Sequence, residues 1–237
     1  MRHTIRLFEI GLRQVARDGM LVVLIPAPFL VGIFFKFAVP YINDILVTEF
    51  SFSITEWYGL LDGMLICLAP IFVAMISAFL MLEERDEGLG AFYQVTPAEG
   101  YYYIYARIGL PMIWAFIVTI IVAALFNISS LSSGVILSSS VISSLTGISF
   151  AMMVVSVAGN RVEGLALSKL MGLSFIGLIL IWFIPAPYHY IMALLPSFWI
   201  GKILIDGAGF VFFVSGLLSC AIWIVLFTRI FLKRVRS

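Results

Sequence analysis

Charged side chains make up only 11% of this 237-residue chain, where a soluble domain carries about a quarter. That shortage excludes an ordinary water-soluble surface, and there is no basic block of the kind that grips nucleic acid. Cysteine is limited to Cys67 and Cys220 and histidine to His3 and His189. Two thiols inside apolar runs read as small buried hydrophobes rather than as a disulfide or metal site. The two histidines lie far apart in sequence and leave no triad or metal cluster. Phosphate-binding G-x-x-x-x-G-K-S/T, H-E-x-x-H, C-x-x-C and G-x-S-x-G are all missing, so the chain reads as no enzyme and as binding no nucleotide, cofactor or metal by itself. Acidic residues near a bilayer midplane, which an ion-coupled carrier needs, are wanting too; Asp62 alone comes close, and off-centre.

What is present is oil. The chain is 62% hydrophobic with a mean hydropathy of +1.14. Runs of about 20 apolar residues cross the hydrocarbon core as helices, and six are legible, near 20–40, 59–82, 108–127, 135–159, 170–185 and 209–232. The expected fold is all-α: one polytopic membrane domain over 1–237 with no room for a separate soluble unit. Lys and Arg gather in alternate connections: Arg2, Arg6, Arg13 and Arg17, then Arg85 and Arg107, then Arg161 and Lys169, then Arg229, Lys233, Arg234 and Arg236, against Lys202 alone in the opposite loops. Both termini are therefore expected in the cytoplasm, and the start is not expected to be a cleavable signal.

Residues 1–19 alternate as an amphipathic helix at the cytoplasmic interface, with Ile5, Phe8, Leu12 and Val15 on one side and the arginines on another. Pro26 and Pro28 interrupt the first span. For Lys36 and Asp62 two readings stand: an intramembrane ion pair near the outer mouth, or a lysine that snorkels to the interface. The serines from Ser129 to Ser144 suit close helix packing as well as a polar pathway. Residues 185–208, broken by Pro185, Pro187 and Pro196, read as an outer interfacial or re-entrant segment, with His189 packed among Tyr188 and Tyr190.

The stretch from Met81 to Arg107 concentrates charge against a membrane boundary. If helical, Glu83, Glu84 and Glu87 crowd one face at a spacing that repels, and a basic groove on a partner would relieve them. Gly88 then frees the turn, and Pro97 marks a helix boundary. A solvated cap accounts for the charges as well. Glu83-Glu84-Arg85-Asp86-Glu87-Gly88, followed by Val95-Thr96-Pro97 and Tyr105-Ala106-Arg107, resembles the loop after the second span in type-2 ABC transporter permeases, with Leu89 where that family has Thr. Asn160 to Lys169 looks like the loop between that family's fourth and fifth spans.

The resemblance implies a permease subunit in a prokaryotic plasma membrane, similar to drug- and antibiotic-export permeases. It implies a dimer with a second permease chain and a separate ABC ATPase subunit that carries the ATP and Mg. A short cytoplasmic coupling helix within 83–100 would transmit the ATPase movement, using Glu83, Glu84, Arg85, Asp86, Glu87, Gly88, Thr96 and Pro97 together with Arg161, Glu163 and Gly164. The second and fifth spans would border the pathway, with Met64, Met75, Trp182 and Phe183 against a hydrophobic drug, antibiotic or lipid-like substrate. The alternatives are a non-transporting membrane scaffold and, behind it, an ion-coupled carrier or channel.

Overall fold

Every element in the computed structural model, which describes residues 2–88 and 103–236, is helical; no strand occurs among the described residues. In order they are α1 (Arg2–Arg17), α2 (Gly19–Leu24), α3 (Ala27–Phe50), a 3-10 turn (Thr55–Trp57), α4 (Tyr58–Asp86), a π-helical turn (Tyr105–Gly109), α5 (Leu110–Phe126), α6 (Ser133–Val157), α7 (Arg161–Ser168), a 3-10 segment (Lys169–Phe175), α8 (Ile176–Phe183), a 3-10 turn (Tyr188–Met192), α9 (Pro196–Asp206) and α10 (Phe210–Arg236). Six stretches are long and apolar enough to cross a membrane, as expected.

Helices α4 and α6 form the axis. Most of their apolar windows are buried, 72% and 67%, against 17% for the first and last spans, so those two lie at the rim. The close α4–α6 approach has a local cause. Pro70 has no N–H, which orphans the carbonyl of Ile66 one turn back. Ser143 of α6 donates to that carbonyl at 3.1 Å. A Cβ at Gly147 would stand 2.9 Å from the Pro70 carbonyl oxygen, so glycine is what lets the two backbones meet there.

Three boundaries differ from expectation. α3 continues through Pro40 to Phe50, where Ser51 caps it in the left-handed region at φ 52°; Asn43, buried on that extension, accepts from Ile54 N–H and holds the return chain. The fifth span begins at Arg161 rather than 170, because Asn160 and Glu163 cap α7: Asn160 Oδ1 accepts from Glu163 N–H at 2.8 Å, and Glu163 accepts from Gly159 N–H at 2.6 Å. The acidic run is no separate coupling helix among the described residues, since Glu83 to Asp86 are the last turn of α4 itself.

Residues 185–208 dip inward. The carbonyl of Leu194 accepts from Ser219 Oγ at 2.6 Å and from Trp223 Nε1 at 2.9 Å. Those donors lie about 14–20 Å along α10 from its start, at 1.5 Å per residue. α9 then climbs back to Asp206 beside α8 and α10.

Candidate functional site

The last turn of α4 aims four consecutive charges in different directions, about 100° apart, and each finds a partner on another element. Glu84 points inward and is 2% exposed. It takes the guanidinium of Arg107 from the π-helical turn as an ion pair, together with Arg107 Nε at 3.2 Å and the Tyr103 hydroxyl at 2.6 Å. Arg85 donates to the carbonyls of Ala158 and Val155 at 2.8 and 3.0 Å. Arg234 of α10 reaches the same helix end, donating to Ser156, Val157 and Ala158. These are the orphan carbonyls at the C-terminus of α6, where the helix dipole favours cations.

Glu83 and Asp86, one turn apart, both turn to Arg161 at the head of α7. Glu83 pairs with its guanidinium at 3.1 Å and Asp86 accepts from its backbone N–H at 2.9 Å. Arg161 also pairs with Asp18, which in turn caps α2 by accepting from Met20 and Leu21 N–H. The Arg161 guanidinium holds the Asp18 carboxyl below the usual carboxylate range. α1 closes the assembly from outside: Val15 is buried, and a Cβ at Gly11 would run into the Arg107 guanidinium.

Of the three carboxylates expected to need a partner's basic groove, Glu84 and Glu83 are thus met within the chain, by Arg107 and Arg161. Asp18, Tyr103, Arg107 and Arg234 belong to the same knot and were not among the expected site residues. Asp18 and Arg161 are 143 residues apart, so no local pattern announces their meeting. Glu87 and Gly88 are exposed, and Gly88 takes φ +74° with open space around it; glycine is required there by backbone conformation, not by crowding. Gly164 is buried against Leu82 and Phe79. Thr96 and Pro97 lie outside the described residues.

The Lys36–Asp62 pair does not form. Lys36 donates to the carbonyl of Leu125 at 2.6 Å, an orphan acceptor at the end of α5. Asp62 accepts from the N–H groups of Ile128 and Ser129 just beyond that end. Lys36 is drawn to the negative end of the α5 dipole, and Asp62 to the loop N–H groups just past it, which make charge-assisted hydrogen bonds to the carboxylate. Nor do the expected pathway residues converge: Trp182 and Phe183 border a cavity beside His189, Lys202 and Asp206, while Met64 and Met75 are not on it. In that region Lys202 pairs with Asp206 at 2.6 Å and lies 5.5 Å from the ring centres of Tyr190 and Phe212, and His189 Nδ1 meets the Ile184 carbonyl.

A knot that joins the ends of several spans can transmit a push on one of them to the rest. The family model described as "Fluoroquinolones export permease protein Rv2686c-like" matches residues 11–231. The fluoroquinolones export permease proteins Rv2686c and MT2760, from two strains of Mycobacterium tuberculosis (ATCC 25618 / H37Rv and CDC 1551 / Oshkosh), are each 28% identical to this chain over 197 residues, covering 81% of this chain and 77% of theirs.

Proposed function

The chain belongs to the Rv2686c-like family of fluoroquinolones export permease proteins, and from that premise we propose that it is the membrane subunit of an ATP-driven drug exporter, working as a dimer with a separate ATPase. Its substrates are fluoroquinolones, for which the relatives are named, or similar amphiphilic aromatic drugs. The knot lies on the cytoplasmic side of a prokaryotic plasma membrane, as the Lys and Arg bias requires.

The observation that carries the coupling mechanism is the wiring of the α4 end. Glu83, Glu84, Arg85 and Asp86 tie α4 to α2, the π-helical turn, α6 and α7, while Glu87 and Gly88 stay exposed just beyond. The ATPase bears on Glu87 and Gly88 and on the residues that follow, and the knot converts that push into a joint movement of the spans. Because Glu83, Glu84 and Asp86 already have internal partners, they act as transmitters and Glu87 as a contact.

The test is co-expression with the ATPase subunit, reading fluoroquinolone export and co-purification together. Glu87→Lys is expected to weaken assembly by charge reversal at the contact. Arg161→Ala is expected to leave assembly intact and to lower export per ATP hydrolysed. If both variants assemble and export like the parent, the knot is only a structural cap. If the parent exports with no ATPase present, the ATP-driven reading falls.

A further inference from the structure

A second cavity, of about 240 Å³, opens near the middle of the bundle between α6, the 3-10 segment, the inner tip of 185–208 and α10. Its wall runs from Thr146 to Met153 and from Trp223 to Phe227, about 20–30 Å along α6 and about 20–26 Å along α10 from the ends that face the Asp62 side, so the cavity sits within the membrane in the half toward the charged knot. None of the charged knot touches it. Its walls are almost wholly apolar, with Phe150 and Met153 on one side, Trp223 and Phe227 on another, and Leu170 and Leu173 at the rim. Leu170 and Leu173 are 46% and 54% exposed, so the cavity opens on the lipid-facing surface.

Resting on the exporter reading above, we propose that this cavity is an entry site that takes the fused aromatic ring system of an amphiphilic drug directly from the bilayer. Three features select a flat ring. Trp223 and Phe227 stack at 5.6 Å between centroids and 21° between planes, presenting a near-parallel pair that a third ring extends. Met153 supplies a polarisable sulfur suited to aromatic edges. The volume falls below the roughly 300–1,000 Å³ of sites that swallow a whole drug, so the rings enter and the polar substituents stay at the mouth.

The rim is irregular: Lys169–Phe175 runs seven residues as a 3-10 helix, longer than the three or four residues usual for such runs.

The test uses the full-length permease in phosphatidylcholine nanodiscs with norfloxacin as probe, read by equilibrium dialysis and by quenching of tryptophan fluorescence. Leu173→Trp fills the mouth from an exposed position and is expected to weaken binding about tenfold or more, and Phe227→Ala, which removes the stack, by about tenfold. Unchanged thermal unfolding of Leu173→Trp separates occlusion from misfolding. Binding within twofold of the parent in both variants overturns the site. So does a phospholipid that co-purifies with the parent and is displaced by Leu173→Trp while norfloxacin binding is unaltered, since the cavity then holds an acyl chain. Export gives the independent readout: a parent that binds but shows no ATP-dependent export sinks the exporter reading alone, and a parent that exports while Leu173→Trp binds normally sinks the cavity alone.

Discussion

Pro70 and Ser143 show how one residue's defect dictates another's identity. The proline leaves the Ile66 carbonyl without its helical donor, and the serine hydroxyl at 3.1 Å replaces it. Ser143→Ala is expected to destabilise the protein by about 0.6 kcal/mol, the average for hydrogen bonds between membrane helices, and by no more than about 1.7 kcal/mol. In a Pro70→Ala background the same change is expected to cost much less, because the helix satisfies its own carbonyl. A double-mutant cycle in detergent-resistance or thermal-unfolding measurements reads the difference, and equal costs in both backgrounds would refute the pairing. Asp18 gives a pH signature. Its folded pKa is depressed by Arg161, so its stabilising effect is complete above its unfolded value near 3.9 and is lost as pH falls through the lower folded value. Asp18→Asn keeps the N-cap but not the charge. The stability gap between parent and variant is therefore expected to be flat above about pH 5 and to close toward pH 3; a gap that widens in acid contradicts the assignment.

At the scale of elements, α1 was legible as an amphipathic helix, but its docking was not. The face that meets protein runs through Gly11 and Val15, while Leu12 and Ile10 are about half exposed. The helical wheel marks an apolar side without saying which glycine must lie against a guanidinium. Gly11→Val is expected to lift α1 from Arg107 at a cost of about 1–3 kcal/mol, as overpacking does. Gly19→Ala, with nothing within 4 Å of the added carbon, is expected to be neutral or stabilising by up to about 1 kcal/mol. Thermal unfolding of the pair decides it, and equal behaviour would deny the clamp. The start of the fifth span was obscured by its charges: Arg161, Glu163 and Lys169 look like a loop, although Asn160 and Glu163 at capping-box spacing mark a helix start in plain sequence. The acidic run was legible as special, since like charges at helical spacing repel; the pairing of Glu84 and Glu83 with Arg107 and Arg161 was not, because no periodicity spans those distances in sequence.

Across the whole molecule the charged side chains collect at two levels. Asp18, Glu84, Arg107, Arg161 and Arg234 mark one, and Lys36, Asp62, Lys202 and Asp206 the other. The length of the apolar runs was enough to read six spans and their order, since the charges lie between the runs and are few. With both levels in place, exposed Glu49 and Ala208 fall on one side of the membrane and Glu87 and Glu163 on the other. Single cysteines at the first pair are expected to react with an impermeant maleimide in intact cells, and those at the second pair only after lysis. Cys67 and Cys220 are buried and are expected to stay silent in both. Outside labelling at Glu87 would invert the orientation and remove the ATPase from the proposed contact.

The separation of the two levels has a consequence for the lipid. Asp62 and Glu84 on α4, and Arg107 and Asn127 around α5, stand about 30–33 Å apart along their helices, close to the hydrocarbon thickness of an average bilayer. Both ends of α4 are pinned, by the α5 terminus on one side and by Arg107 and Arg161 on the other. A helix held in this way cannot tilt apart from its neighbours, so hydrophobic mismatch is met by the bundle tilting as a unit or by the membrane thinning or thickening around it. In phosphatidylcholine series of increasing acyl length, its unfolding temperature is expected to peak where the hydrocarbon core is near 30 Å and to fall on both sides. A Glu84→Gln variant, which slackens one pin, is expected to show a broader and lower peak.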